Sequence, residues 1–167
     1  MAVLSLLLAA SPAFADSKWP FRRVRPLDPM VGALIVRGYS GSFAFRRLVD
    51  TLERSDVIVH VERANRTGDG LAGATRFVTR AGGQRYVRVT LYGMWSPAQT
   101  MALLGHEFQH AVEVADAGWV VDQETCLELF HAIGHRTCDQ RRLCYETDAA
   151  IAAGAQVWKE LTSLQAE

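Results

Sequence analysis

The chain carries no net charge: 18 basic side chains balance 18 acidic ones over 167 residues. A nucleic-acid partner demands an excess of positive charge to neutralise phosphates, so that partner is set aside. Cysteine is scarce. Cys126, Cys138 and Cys144 are the only three, and no two are spaced C-x-x-C, which counts against a cysteine-based zinc site. Beyond the N-terminus, no apolar run is long enough to cross a bilayer. Internal repeats and low-complexity tracts are also lacking. The glycines of residues 65–73 do not follow a strand into a helix, as a phosphate loop requires, so this stretch reads as a connection.

What is present begins with an apolar N-terminus. Met1 to Ala10 is almost wholly apolar, and Ala13-Phe14-Ala15 is a small-x-small cleavage site ahead of Asp16. This pattern is that of a secretory signal peptide over residues 1–15. Residues 16–167 then form a single domain, large enough for its own core. It is expected in the periplasm or outside the cell, with no stable membrane insertion after cleavage. No cysteine follows the cleavage site, so a lipoprotein anchor is not expected. Export permits disulfides, and one is expected among the three cysteines. Cys138 and Cys144 could staple the connector Asp139 to Leu143, or Cys126 could pair with either.

Charge is segregated along the chain. Residues 16–95 hold 14 basic and 7 acidic side chains, and residues 96–167 hold 4 basic and 11 acidic. The preferred reading is two halves of one domain with complementary fields. An acidic C-terminal half also suits a cation.

Residues 16–32 are rich in proline and arginine and read as an extended arm, and Ala33 to Val36 as a short strand. Ser42 to Arg54 has a helical stripe of Phe45, Leu48, Val49 and Leu52. Asp56 to Glu62 alternates as a strand, with Val57, Val59 and Val61 on one face. Thr75 to Arg80 and Arg85 to Tyr92 read as a hairpin joined by Ala81-Gly82-Gly83-Gln84. Ser96-Pro97-Ala98-Gln99 is a helix start, with Ser as cap, Pro at the first position and Gln three beyond the cap. That helix is expected from Pro97 to about Ala117, ended by Gly118. Asp122 caps a helix of about Gln123 to Ile133, and a last helix is expected from Leu143 to Leu164.

The middle of the Pro97 helix carries His106-Glu107-Phe108-Gln109-His110, an H-E-x-x-H motif. At 3.6 residues per turn the two histidines lie one above the other on one face. Both can therefore reach one zinc ion. Glu107 is rotated about 100° from His106, so it flanks the metal as a general base instead of ligating it. Leu103, Leu104, Phe108, Ala111, Val112 and Val114 surround these residues. Two buried histidines and a buried glutamate are costly without partners, which argues against a plain solvated helix face.

A catalytic zinc of this kind takes three protein ligands and keeps an open position. The metzincin pattern requires glycine where this chain has Glu113. The motif therefore resembles the glutamate-zincins, in which a glutamate on a later helix completes the site. The resemblance covers the motif helix and the strand–helix–helix order. Four carboxylates compete for the third position. Glu113 lies one turn too far along the same helix, and is expected to brace a neighbour or pair with an arginine. Glu124 and Glu128 lie on the polar stripe of their helix; Glu128 is the second choice. Glu146 is preferred, because Tyr145-Glu146-Thr147-Asp148-Ala149-Ala150 resembles the third-ligand segment of small glutamate-zincins, and Ala149, Ala150 and Ala153 permit close helix approach. Asp148 or Asp116 could orient an imidazole. Tyr145, His131 or Tyr92 could steady an oxyanion, and His60 is expected to be structural.

The resemblance implies a zincin-like α+β domain: a small, mainly antiparallel sheet packed on the zinc-binding helix and two further helices. It implies an exported zinc metallopeptidase acting on a peptide or protein substrate. His106, His110 and Glu146 would hold Zn2+, and Glu107 would be the catalytic base. Residues 85–92, just before the motif helix, are the candidate strand for pairing with an extended substrate. The rival is a non-catalytic envelope protein with a structural zinc, which would be closed by four protein ligands.

Overall fold

The computed structural model describes residues 19–65, 70–93, 95–137 and 144–163. The expected signal peptide, Cys138 and the connector Asp139 to Leu143 lie outside these residues. The elements run β1 (Val24–Pro26), α1 (Pro29–Gly41), α2 (Phe43–Arg54), β2 (Val57–Ala64), β3 (Gly73–Ala81), β4 (Gln84–Tyr92), α3 (Pro97–Asp116), α4 (Gln123–Ile133), β5 (His135–Arg136), β6 (Tyr145–Glu146) and α5 (Asp148–Ser163). Among the described residues the result is a mixed α+β fold of five helices and a small sheet.

The main sheet has the order β1-β2-β4-β3. It is not mainly antiparallel: β1 with β2 and β2 with β4 pair in parallel, and only β3 with β4 is antiparallel. Alternation reveals a strand but not its neighbour. The hairpin was legible because its turn has its own chemistry. Gly82 and Gly83 both take positive φ, 56° and 73°, as a two-residue turn of the right twist needs. The insertion of β4 beside β2 leaves no such local mark. One row across all four strands, Val24, Val59, Val87 and Phe77, is buried. The helices pack on this face, with Phe45 of α2 against Phe108 of α3 at 5.4 Å between rings.

Ala33 to Val36 is not a strand but the middle of α1. The Asp28 carboxylate accepts from the amides of Met30 and Val31, and Pro29 opens the helix, a cap-plus-proline start. The β-branched residues and glycines that suggested a strand here are used for packing. A Cβ on Gly38 would lie 3.1 Å from the Phe45 ring. Two further helices, α1 and α2, therefore share the core with α3, α4 and α5.

The start of α3 matches expectation. The Ser96 hydroxyl accepts from the Gln99 amide at 3.3 Å, and the Gln99 side chain accepts from the Ser96 amide at 3.0 Å. Its end has a different cause from the one expected. Gly118 has no positive φ. Instead the buried Arg85 guanidinium donates to the carbonyls of Val114 (2.6 Å), Ala117 (2.8 Å) and Ala115 (2.9 Å). It also reaches the Val120 carbonyl at 3.5 Å and donates to both carboxylate oxygens of Asp56, at 2.9 and 2.6 Å. The bonds to Val114 and Ala115 satisfy helix-end carbonyls that would otherwise be orphaned. The other flank of α3 packs tightly on α5. A Cβ on Gly105 would come within 2.8 Å of Val157, and one on Gly154 within 3.1 Å of His106 Cβ.

Candidate metal centre

The rigid middle of α3 aims His106 and His110 at one point, as the four-residue spacing requires. Glu146 meets them there. Its Oε1 lies 3.1 Å from His106 Nε2 and 3.1 Å from His110 Nε2. All three ligand atoms fall within 4.8 Å of one another. Tetrahedral zinc with bonds of about 2.0–2.1 Å separates its ligand atoms by roughly 3.3 Å, close to the two sides of the triangle that Glu146 makes. His106, His110 and Glu146 could thus hold a metal ion. Among the described residues no fourth side chain joins the group.

Glu146 does not arrive as expected. It lies on β6, not on the last helix, which begins at Asp148 rather than Leu143. Thr147 is the reason: its hydroxyl accepts from the Ala150 amide at 3.1 Å and caps α5. β6 is held by pairing with β5, in which His135 faces Glu146. Gly134 makes that approach possible, because a Cβ there would come within 2.6 Å of the Glu146 carbonyl.

Behind the ligands, Glu113 braces His110. Its Oε2 lies 2.9 Å from His110 Nδ1, and its Oε1 accepts from the Thr147 hydroxyl at 2.7 Å. The carboxylate partner of the imidazole is therefore Glu113, not Asp148 or Asp116, both of which are exposed. An Nδ1 bound to a carboxylate leaves Nε2 facing the cluster, an arrangement typical of metal-ligating histidines. Burial opposes protonation of His110, but Glu113 and Glu146 outweigh it and push its pKa up to about 9. For Glu146 burial works to raise the pKa, yet the two imidazoles prevail and hold it well below the ordinary carboxylate range.

Glu107 stands outside the ligand group and is only 3% exposed. Burial raises its pKa, and the hydrogen bond from Thr75 works against that shift. The Thr75 hydroxyl donates to Glu107 Oε2 at 2.6 Å. Both residues line a cleft of about 570 Å³ together with His106, His110 and Glu146. Phe77, Cys126, Leu127 and Phe130 give this cleft an apolar wall.

Residues 85–92 cannot be the substrate strand, because β4 is paired on both sides, with β2 and β3. β3 is the edge strand, and its residues 73–77 border the cleft. Glu128 and Glu124 are exposed on α4 and stand outside the ligand group. Tyr145 lines the cleft; His131 and Tyr92 do not. His60 lies on β2 in register with Arg25 and Arg88, away from the cluster. Cys126 is a buried, unbonded thiol, pushed up to about 11 by burial. It takes no part in the expected disulfide, and Cys138 lies outside the described residues. Sequence reasoning missed Thr75, Thr147 and Arg85, since single polar residues in a strand or linker carry no motif. Compared with known proteins, the chain matches no family model, no curated protein and no solved structure.

Proposed function

We propose that this chain is an exported zinc-dependent peptidase. The observation that carries the reading is the convergence of His106, His110 and Glu146 beside a buried, unligated Glu107 at the wall of a cleft. The donor set suits zinc: two imidazoles and one carboxylate, with a carboxylate brace behind. Bound there, zinc would polarise the scissile carbonyl and bring a coordinated water's pKa near neutrality. His106, His110 and Glu146 fix its position. Glu113 and Thr147 fix theirs. Glu107 accepts the proton of the attacking water and delivers it to the departing amine, as a base in an apolar setting can. The outer edge of β3, which pairs with no strand among the described residues, offers backbone groups to an extended peptide, which replaces β4 in that role. A structural zinc would need a fourth protein ligand, and the triad among the described residues favours an open position.

The test is metal content together with cleavage. Mature protein purified without chelators should hold about one zinc per chain and cleave extended peptides. Glu107→Gln should keep the zinc and lose cleavage by on the order of 10²-fold or more. Full cleavage in Glu107→Gln would remove this mechanism. Export has its own check: the secreted protein should begin at Asp16, and recovery of an intact N-terminus would count against it.

A further inference from the structure

The strand that borders the cleft also touches the proposed base. Thr75 and Gly73 lie two residues apart on β3, so both present the same face of the strand. That face meets Glu107. The Thr75 hydroxyl lies 2.6 Å from Glu107 Oε2 and 3.1 Å from the Glu107 carbonyl. Gly73 lies beneath the other oxygen: a Cβ there would overlap Glu107 Oε1. The two carboxylate oxygens are thus treated differently by one strand. One is bound, and the other is given room.

We propose that Thr75 is the positioning residue for Glu107: its hydroxyl pins Oε2, and the missing side chain at Gly73 keeps the pocket for Oε1, the oxygen that handles the proton. The inference rests on the peptidase reading above for its catalytic consequence, but not for its geometry. A glutamate has three rotatable side-chain bonds, and burial alone does not select one orientation. A misplacement of about 1 Å in such a group costs roughly 10²-fold in rate. The strand that offers its edge to a substrate is therefore also the strand that aims the base.

The experiment compares Thr75→Val, which keeps shape and β-branching but loses the hydroxyl, with Thr75→Ser, which keeps the hydroxyl. Gly73→Ala fills the notch by a separate route. Crystal structures of the zinc-loaded proteins should show one Glu107 rotamer in wild type and Thr75→Ser, and a displaced carboxylate in Thr75→Val and Gly73→Ala. In peptide cleavage, Thr75→Val should lower kcat by roughly tenfold to a hundredfold with KM little changed. Thr75→Ser should stay within about threefold of wild type. Zinc content should be unaltered throughout. An unmoved Glu107 with wild-type kcat in Thr75→Val would overturn the proposal. So would Thr75→Ser being as impaired as Thr75→Val, which would mark a purely structural threonine. If wild type binds zinc but cleaves nothing, the peptidase reading falls, and the Glu107 rotamers still decide the role of Thr75. Should Thr75→Val not fold, Thr75→Ala and Gly73→Ala make the same comparison.

Discussion

Helix α3 carries buried charge at its middle and again at its C-terminal end, and the two clusters are balanced in different ways. At the end, one guanidinium meets one carboxylate and the carbonyls of the last turn. Arg85 has only 4% of its side chain exposed, whereas its partner Asp56 is 45% exposed. The charges cancel and the donors are used up. Such a cluster has nothing left to bind. At the middle, Glu107, Glu113 and Glu146 face two histidines. With all three carboxylates ionised, even two protonated imidazoles leave an excess of negative charge, which burial makes expensive and which the raised pKa of Glu107 relieves in part. A structural charge cluster is balanced within itself, whereas the cluster at the middle could hold a cation.

The strongest way to break this comparison is to remove the histidines. His106→Ala and His110→Ala should each abolish zinc binding, read by metal analysis of the purified proteins. Equal trace metal in wild type and both variants would mean that the negative excess recruits no cation. Arg85→Met attacks the other cluster. It leaves the Val114 and Ala115 carbonyls without their donor, while Ala117 keeps the amide of Val120, at a cost on the order of 3 kcal/mol or more. The melting temperature should fall while folded protein keeps its zinc. A loss of zinc at unchanged stability would erase the distinction between the two clusters.

Smaller effects sharpen it. Glu113→Gln weakens the brace on His110 and should reduce zinc affinity by roughly 10–100-fold, as such partners do elsewhere, with little loss of fold. The pH dependence has a definite sign. In the metal-free protein the His110 pKa stands at about 9, above its ordinary 6.5. Its contribution to stability is full below pH 6.5 and is lost as pH rises through about 9. The metal-free protein should therefore melt lower with rising pH over that interval. Zinc must displace the same proton, so its affinity should climb by up to tenfold per pH unit below about 9. A zinc affinity flat from pH 6.5 to 9 would show that His110 is neutral before the metal arrives. Least of all should change with Glu128→Gln, which lies on the exposed face of α4 and should leave zinc and cleavage as they were.

The two clusters also differed in how much of each could be read in advance. The middle of α3 was legible because a helix has one period, so spacing along the chain becomes position in space. His106, Glu107 and His110 needed nothing more. Glu146 was recognisable by its surroundings, but its placement on β6 was not. Glu-Thr-Asp-Ala admits a helix beginning before or after the threonine, and the Thr147 hydroxyl decides that locally. Arg85 and Thr75 were invisible for another reason. Each acts on residues about thirty positions away in the chain, across a strand–helix contact that no local pattern encodes. The same limit hid the parallel pairing of β4 with β2. In α1 the difficulty was reversed. Its glycines and β-branched residues lower helix propensity, and the tertiary contacts that justify them are seen only in the folded chain.

The seam between α3 and α5, where Gly105 and Gly154 leave no space for a methyl group, ties the centre to the order in which the chain folds. The ligands do not come from one segment: His110 and Glu146 are 36 residues apart. Before β6 and the α5 that follows it dock against the motif helix, that helix holds two histidines and no third donor. An ion that binds the assembled site and not the open chain stabilises the docked state by mass action, about 2.7 kcal/mol at a hundredfold excess over its dissociation constant. Zinc in this molecule would then serve as a latch on its own last helix, and slow release of the ion would be an early sign of that helix coming away.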